Sequence, residues 1–164
     1  MREGSLLNYL GIQQWYPCKL KHPWYSGDKI IVDVLPAIFQ VKCMVLLPVK
    51  KGCAELCDPI AKKILTGMLG VLHLTHEELS IATIYTADEH ITMQDWQQAF
   101  VDIAYWQPKF ILQLDKTMPL CRDNKTLIQT YHPAHLAQNQ QDKVAAYQDL
   151  LTLKDRLYSN DYLT

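Results

Sequence analysis

Phe39-Gln40-Val41-Lys42-Cys43-Met44-Val45-Leu46-Leu47 is the stretch on which the fold turns. The run is largely apolar, with Val41, Val45 and Leu47, so it reads as a central strand buried on both faces. Beyond it the chain has the chemistry of a loop and then a helix. Pro48 to Cys57 reads as loop, and Asp58-Pro59 supplies an N-cap with proline at the first helical position. Ile60, Ile64, Leu65 and Met68 then recur at helical spacing, and Gly70 stands where a helix-terminating glycine belongs. Gly67, inside this helix, costs about 1 kcal/mol relative to alanine. Ser80 to Tyr85 is the next core strand.

Outward from this unit, Lys29 to Val34 alternates, is rich in β-branched residues and stops at Leu35-Pro36. It reads as an edge strand, where proline is tolerated. Thr75-His76-Glu77-Glu78 fits a short capping box, and Thr92 with Asp95 caps the next helix. In that helix Trp96, Phe100 and Ile103 form an apolar stripe that ends before Pro108. Lys109 to Leu114 is a strand, Met118 to Lys125 a loop and Thr126 to Thr130 the last strand. Tyr131-His132-Pro133-Ala134 is a turn. A helix runs from about Gln141 to Tyr158, with Val144, Tyr147, Leu150, Leu151 and Leu157 as its stripe. Strands alternating with helices predict an α/β three-layer sandwich around a mostly parallel sheet. In such sheets sites form beyond the carboxyl ends of the strands, which selects the loops Pro48 to Cys57 and Tyr131 to Gln140.

The chain has 164 residues, enough for one domain with a sizeable core plus a tail. A hydrophobic share of 49% against 20% charged excludes a largely disordered chain. A formal net charge of −1 implies no basic face and argues against direct, phosphate-driven nucleic-acid binding. The longest apolar run, Met44 to Val49, ends at Lys50 and is too short to cross a membrane. The start lacks signal-peptide features. The cysteines are Cys18, Cys43, Cys53, Cys57 and Cys121, and an odd count without a signal peptide favours reduced thiols in a cytoplasm.

Residues 1–27 stand apart from the domain at 28–164. Leu6, Leu7, Tyr9, Leu10, Ile12, Trp15 and Tyr16 precede a Lys/His/Pro-rich stretch, and Trp24 and Tyr25 come after it. Such a flexible, aromatic tail either packs on its own domain or inserts into another protein, where aromatic anchors supply much of the binding energy.

Thr130-Tyr131-His132-Pro133-Ala134-His135-Leu136, with Lys143, Tyr147, Asp149 and Leu150 beyond it, resembles the C-terminal signature of the uracil-DNA glycosylase superfamily. In that superfamily a histidine-proline turn meets DNA near the flipped base, where the histidine can donate to the departing anion. The reaction also needs a loop after the first core strand that positions water and binds phosphate. The corresponding loop here is Pro48-Val49-Lys50-Lys51-Gly52-Cys53-Ala54-Glu55. Lys50 and Lys51 could meet phosphate and Glu55 is the single carboxylate, but there is no glycine-rich cradle. His132 and Pro133 therefore read as an inherited turn without catalysis. The pairs His73/His76, His132/His135 and Cys53/Cys57 match no paired zinc arrangement, so no metal or other cofactor is expected. Nucleophile-elbow, dinucleotide-binding and Walker patterns are missing. Trp96, Phe100, Tyr105 and Trp106 read as core or as a partner face.

Taken in order, the chain also resembles the psi subunit of bacterial DNA polymerase III. Leu10-Gly11-Ile12-Gln13-Gln14-Trp15 is similar to the tail motif of that family. Ile30 to Pro36 matches an extended run closed by proline, Val41 to Leu47 the first long core strand, and Asp58-Pro59-Ile60 with Ile64-Leu65 the first helix. His132-Pro133-Ala134, Leu136, Asn139 and Val144 to Asp149 continue the match. Tyr16, the Trp96-containing segment and the Tyr131-His132 pair depart from the family pattern. The psi family is built on a fold related to the glycosylases but lacks their catalytic loop, so one origin accounts for both resemblances. The resemblance implies a non-enzymatic linker. Its tail, through Leu10, Ile12 and Trp15, would bind the gamma/tau clamp-loader subunits. Its domain would bind the chi subunit, which in turn contacts single-stranded-DNA-binding protein.

Overall fold

The computed structural model describes residues 29–50, 59–86, 91–122 and 125–161. Among them five strands form one sheet: β1 (Ile30–Leu35), β2 (Cys43–Lys50), β3 (Leu79–Thr86), β4 (Phe110–Gln113) and β5 (Leu127–Gln129). Their order across the sheet is β1-β3-β2-β4-β5, with β1 antiparallel to β3 and every other pair parallel. The α-helices of these residues are α1 (Pro59–Val71), α2 (Met93–Tyr105), α3 (Pro133–Gln138) and α4 (Lys143–Asp161). Leu10, Ile12 and Trp15, the tail boundary at 27/28, and Lys51, Cys53, Glu55, Cys57 and Asp58 lie outside the described residues.

The central strand starts at Cys43 rather than Phe39, because the chain turns at Gln40 (φ 56°), and it runs on through Pro48 to Lys50; its alternation divides the core into two halves. Cys43, Val45, Leu47 and Val49 face one layer, where Leu65 and Met68 of α1, Leu136 of α3 and Leu150, Leu153 and Leu157 of α4 pack. Met44 and Leu46 face the other, against Ile103 of α2, with Trp96, Phe100 and Trp106 half-buried around it. A strand covered on both sides has no solvated face, which is why no polar alternation marks it. β1 lies at the sheet edge, as its closing proline requires. The Ser80 hydroxyl, fully buried on β3, donates to the Pro36 carbonyl at 2.7 Å and anchors the end of that edge strand.

The capping box of α2 forms as the sequence predicts. The Asp95 N–H donates to the Thr92 hydroxyl, and the Asp95 carboxylate accepts from the Thr92 N–H at 2.8 Å. Four other expectations are corrected. Gly70 does not end α1. The helix continues to Val71, and His73 takes the left-handed conformation (φ 51°) beyond it, with its N–H on the Gly70 carbonyl. The Glu78 carboxylate accepts the Thr75 N–H as in a capping box, but the Glu78 N–H donates to the Thr75 carbonyl and not to its hydroxyl, so the pair closes a turn into β3 rather than starting a helix. Pro48 belongs to β2 and not to the loop after it. Tyr131 to Ala134 is not only a turn, because Pro133 begins the short helix α3.

The stripe of α4 is also rotated from its expected position. Ala146, Leu150, Leu153 and Leu157 face the core, while Val144 is 70% and Tyr147 50% exposed.

Among the described residues, no helix is long and apolar enough to cross a membrane. Burial pushes the Cys43 thiol up to about 12. Burial also raises Cys121, to about 11, against a lowering by Arg122 and a backbone hydrogen bond. Both thiols are therefore expected to resist alkylation in the native chain at mildly alkaline pH and to react once it is unfolded. Peptide mapping of the alkylated sites checks this, and rapid native labelling of Cys43 would contradict its place in the central strand. Burial alone would raise the Glu78 carboxyl, but donation from the Thr75 N–H and hydroxyl, with Lys42 at 3.3 Å, holds it below its ordinary value of 4.5. A lowered folded value gives stability that is present above pH 4.5 and lost as pH falls through the folded value. The stability gap between the native protein and Glu78→Gln is thus expected to narrow below pH 4.5 in thermal melts.

Candidate functional site

From β2 the chain runs to β3 on one side, then crosses to β4 on the other. The order therefore reverses between β2 and β4, and the carboxyl ends of these strands bound the crevice where an open α/β sheet offers a site. β4 stops pairing with β2 at Leu46, whose carbonyl accepts the Leu114 N–H at 3.0 Å. Two residues further along β2, Pro48 has no N–H to offer, and β4 has no strand left to need one. The Pro48 carbonyl is taken instead by His132, whose Nε2 lies 2.9 Å away.

His132 lies just after β5 and caps α3. Its Nδ1 accepts the Ala134 N–H at 3.0 Å, and buried Pro133 fills the first helical position. An Nδ1 that accepts a backbone N–H carries no proton, so Nε2 carries it and donates to Pro48. Both ring nitrogens are thereby committed to backbone groups. The imidazole ties the last strand to the central one across the gap beyond β4.

Two glutamines on neighbouring strands shape the rest of this edge. Gln113, fully buried at the end of β4, donates to the Pro119 carbonyl and accepts the Cys121 N–H, both at 3.1 Å. Its cross-strand partner Gln129 donates to the carbonyls of Asp115 and Met118 at 2.9 and 2.8 Å. These side chains hold the segment from Leu114 to Cys121, and Arg122 closes it by donating to the Pro108 carbonyl at 3.0 Å.

A polar and aromatic cluster sits on the held segment. Tyr131 and His135 stack with centroids 5.1 Å apart and planes 10° from parallel. Lys116 Nζ lies 4.3 Å from the Tyr131 ring centroid and 3.8 Å from an Asp149 carboxylate oxygen. His135 Nε2 meets Asp142 at 2.7 Å, and the Asn139 amide donates to the His135 carbonyl at 3.1 Å. Lys116 and His135 each face an anion of the same chain. Among the described residues two buried polar atoms stay without a hydrogen bond, the Thr130 hydroxyl and one Asp149 carboxylate oxygen. Among the described residues the arrangement presents no nucleophile beside a base.

The histidine pairs are not brought together as ligands. His73 takes a backbone turn, His76 lies 3.9 Å from Glu77 at the surface, and His132 and His135 serve different partners. Among the described residues no three His, Cys, Asp or Glu side chains converge on a point that could hold a metal ion. Trp96, Phe100 and Trp106 pack against the α2 half of the core, whereas Tyr105 is 70% exposed. Nothing local in the sequence singles out Gln113, Gln129 or Lys116, since their roles depend on strand ends meeting. The His135/Asn139 bond, by contrast, obeys helical i, i+4 spacing and is readable from it.

His132→Ala removes a helix cap and leaves the Pro48 carbonyl without its donor, so it is expected to cost about 1–3 kcal/mol of stability. His132→Asn restores only the cap, because the shorter side chain does not reach Pro48. Denaturant unfolding of the three proteins checks the order native, Asn, Ala, and equal midpoints would refute the bridging role. No protein-family model matches this chain and no curated protein matches its sequence, so the meaning of this edge rests on its geometry.

Proposed function

We propose that the chain is a non-catalytic adaptor of the psi type in a bacterial DNA polymerase III holoenzyme. Leu10, Ile12 and Trp15 anchor the tail in the gamma/tau clamp-loader complex. The domain, a glycosylase-like fold in the cytoplasm, binds the chi subunit and through it reaches single-stranded-DNA-binding protein. The observation that carries this reading is the commitment of both His132 nitrogens to the Pro48 carbonyl and the Ala134 N–H. A glycosylase histidine has to turn a donor toward the departing base. A turn kept for architecture and withdrawn from chemistry fits a linker descended from an enzyme fold. The near-neutral net charge fits a protein that reaches DNA through partners.

The test is binding of the full chain to a purified clamp-loader pentamer. Trp15→Ala is expected to weaken it by about 2 kcal/mol or more, roughly thirtyfold in Kd. Unchanged affinity would sink the tail assignment. One observation favours the glycosylase reading, namely that His132 stands at the carboxyl edge of the sheet where the strand order reverses. That reading requires release of a base from a uracil-containing duplex, abolished in His132→Ala. On the adaptor reading no base is released by either protein.

A further inference from the structure

An apolar groove of about 230 Å³ lies between α4 and α1, floored in part by α3. Ile64, Gly67 and Val71 form one wall and Lys143, Tyr147 and Leu150 the other. Ile60 (58% exposed) and Val144 (70%) extend its apolar character onto the surface.

Gly67 has no internal reason to be glycine. A Cβ there would meet nothing within 4 Å, and the residue lies mid-helix, where glycine costs about 1 kcal/mol relative to alanine. The missing side chain leaves room for the backbone of another helix to approach, as small residues do at close helix contacts. Charge gives the second observation. α1 contains Lys62 and Lys63 and no acidic residue. Helical spacing puts Lys63 beside Gly67, and Lys154 one step beyond Leu150 on the line of Lys143 and Tyr147. No carboxylate lines the groove, and none among the described residues pairs with Lys63, Lys143 or Lys154.

We infer that this groove docks an acidic amphipathic helix from a partner protein. Such a helix sets apolar residues at i, i+3 or i+4, and i+7 between the walls, and its flanking Asp or Glu side chains meet Lys63, Lys143 and Lys154. Charge separates this occupant from the two others at hand. A second copy docked groove to groove would oppose lysine to lysine. The chain's own residues 1–28 carry Arg2, Lys19 and Lys21 against Glu3 and Asp28, so they bring no acidic complement. The inference goes beyond the adaptor reading and does not depend on the tail's target.

The probe is a fluorescein-labelled helical peptide of about 14 residues, four turns long, with leucine at the stripe positions and glutamate beside them. A second peptide replaces every glutamate with lysine. With the full chain, anisotropy is expected to show the acidic peptide binding about tenfold or more tighter than the lysine peptide, with the gap narrowing as salt rises. Lys63→Glu with Lys143→Glu should reverse the preference. Gly67→Leu should abolish binding while the melting temperature holds or rises, since the new side chain fills open space. Equal binding of the two peptides, binding of neither, or binding that survives Gly67→Leu would overturn the inference. Concentration-dependent dimerisation lost in Gly67→Leu would also overturn it, by giving the groove to a second copy. Failure of Trp15→Ala to affect the clamp-loader measurement would leave these results untouched, so the two readings fail separately.

Discussion

The bond from His132 to the Pro48 carbonyl is the constraint that organises the working edge of this molecule. β2 must be central, because its two faces supply both halves of the core. A proline near its carboxyl end would ordinarily argue against that place. The contradiction disappears because β4 ends first, at the pair Leu46 and Gln113. The open carbonyl beyond needs a donor, and the imidazole after β5 reaches across to provide one. The same ring caps α3, so a single side chain fixes the last strand, the short helix and the start of the path to α4.

That ring holds structure through both nitrogens, Nδ1 accepting a backbone N–H and Nε2 lying at a backbone carbonyl. Around it the polar groups are balanced pairwise, Lys116 with Asp149 and His135 with Asp142. Gln113 and Gln129 commit their amides to the backbone of the adjoining segment. On the helical surface the α1–α4 groove and the half-exposed Tyr147 face solvent.

Much of the fold is legible in local sequence wherever one short-range signal decides the outcome. The apolar run Cys43 to Leu47 of β2 suits a doubly covered strand. Thr92 and Asp95 need nothing beyond their spacing to cap α2. Signals fail where an equally local motif has two uses. Thr75 and Glu78 have the spacing of a helix start, but the Glu78 N–H bonds the Thr75 carbonyl and the pair makes a turn. Gly70 reads as a stop, although His73 accepts the left-handed backbone and lets the helix run on. Val144 and Tyr147 belong to a helical stripe on paper, but the stripe that is buried runs through Ala146, Leu150, Leu153 and Leu157. The His-Pro turn is visible as a motif, while its partner at Pro48 is not, because 84 residues separate them. No short-range pattern encodes that contact.

A structural role for His132 is tested most directly by the protonation pattern of its ring, read by long-range nitrogen–proton NMR correlation on the full chain at neutral pH. A bridge to Pro48 predicts a proton on Nε2 and a bare, hydrogen-bonded Nδ1, with the pattern unchanged when a uracil-containing DNA duplex is added. A proton on Nδ1, or a ring whose signals move on adding that duplex, would contradict a histidine held for structure and return the turn to catalysis.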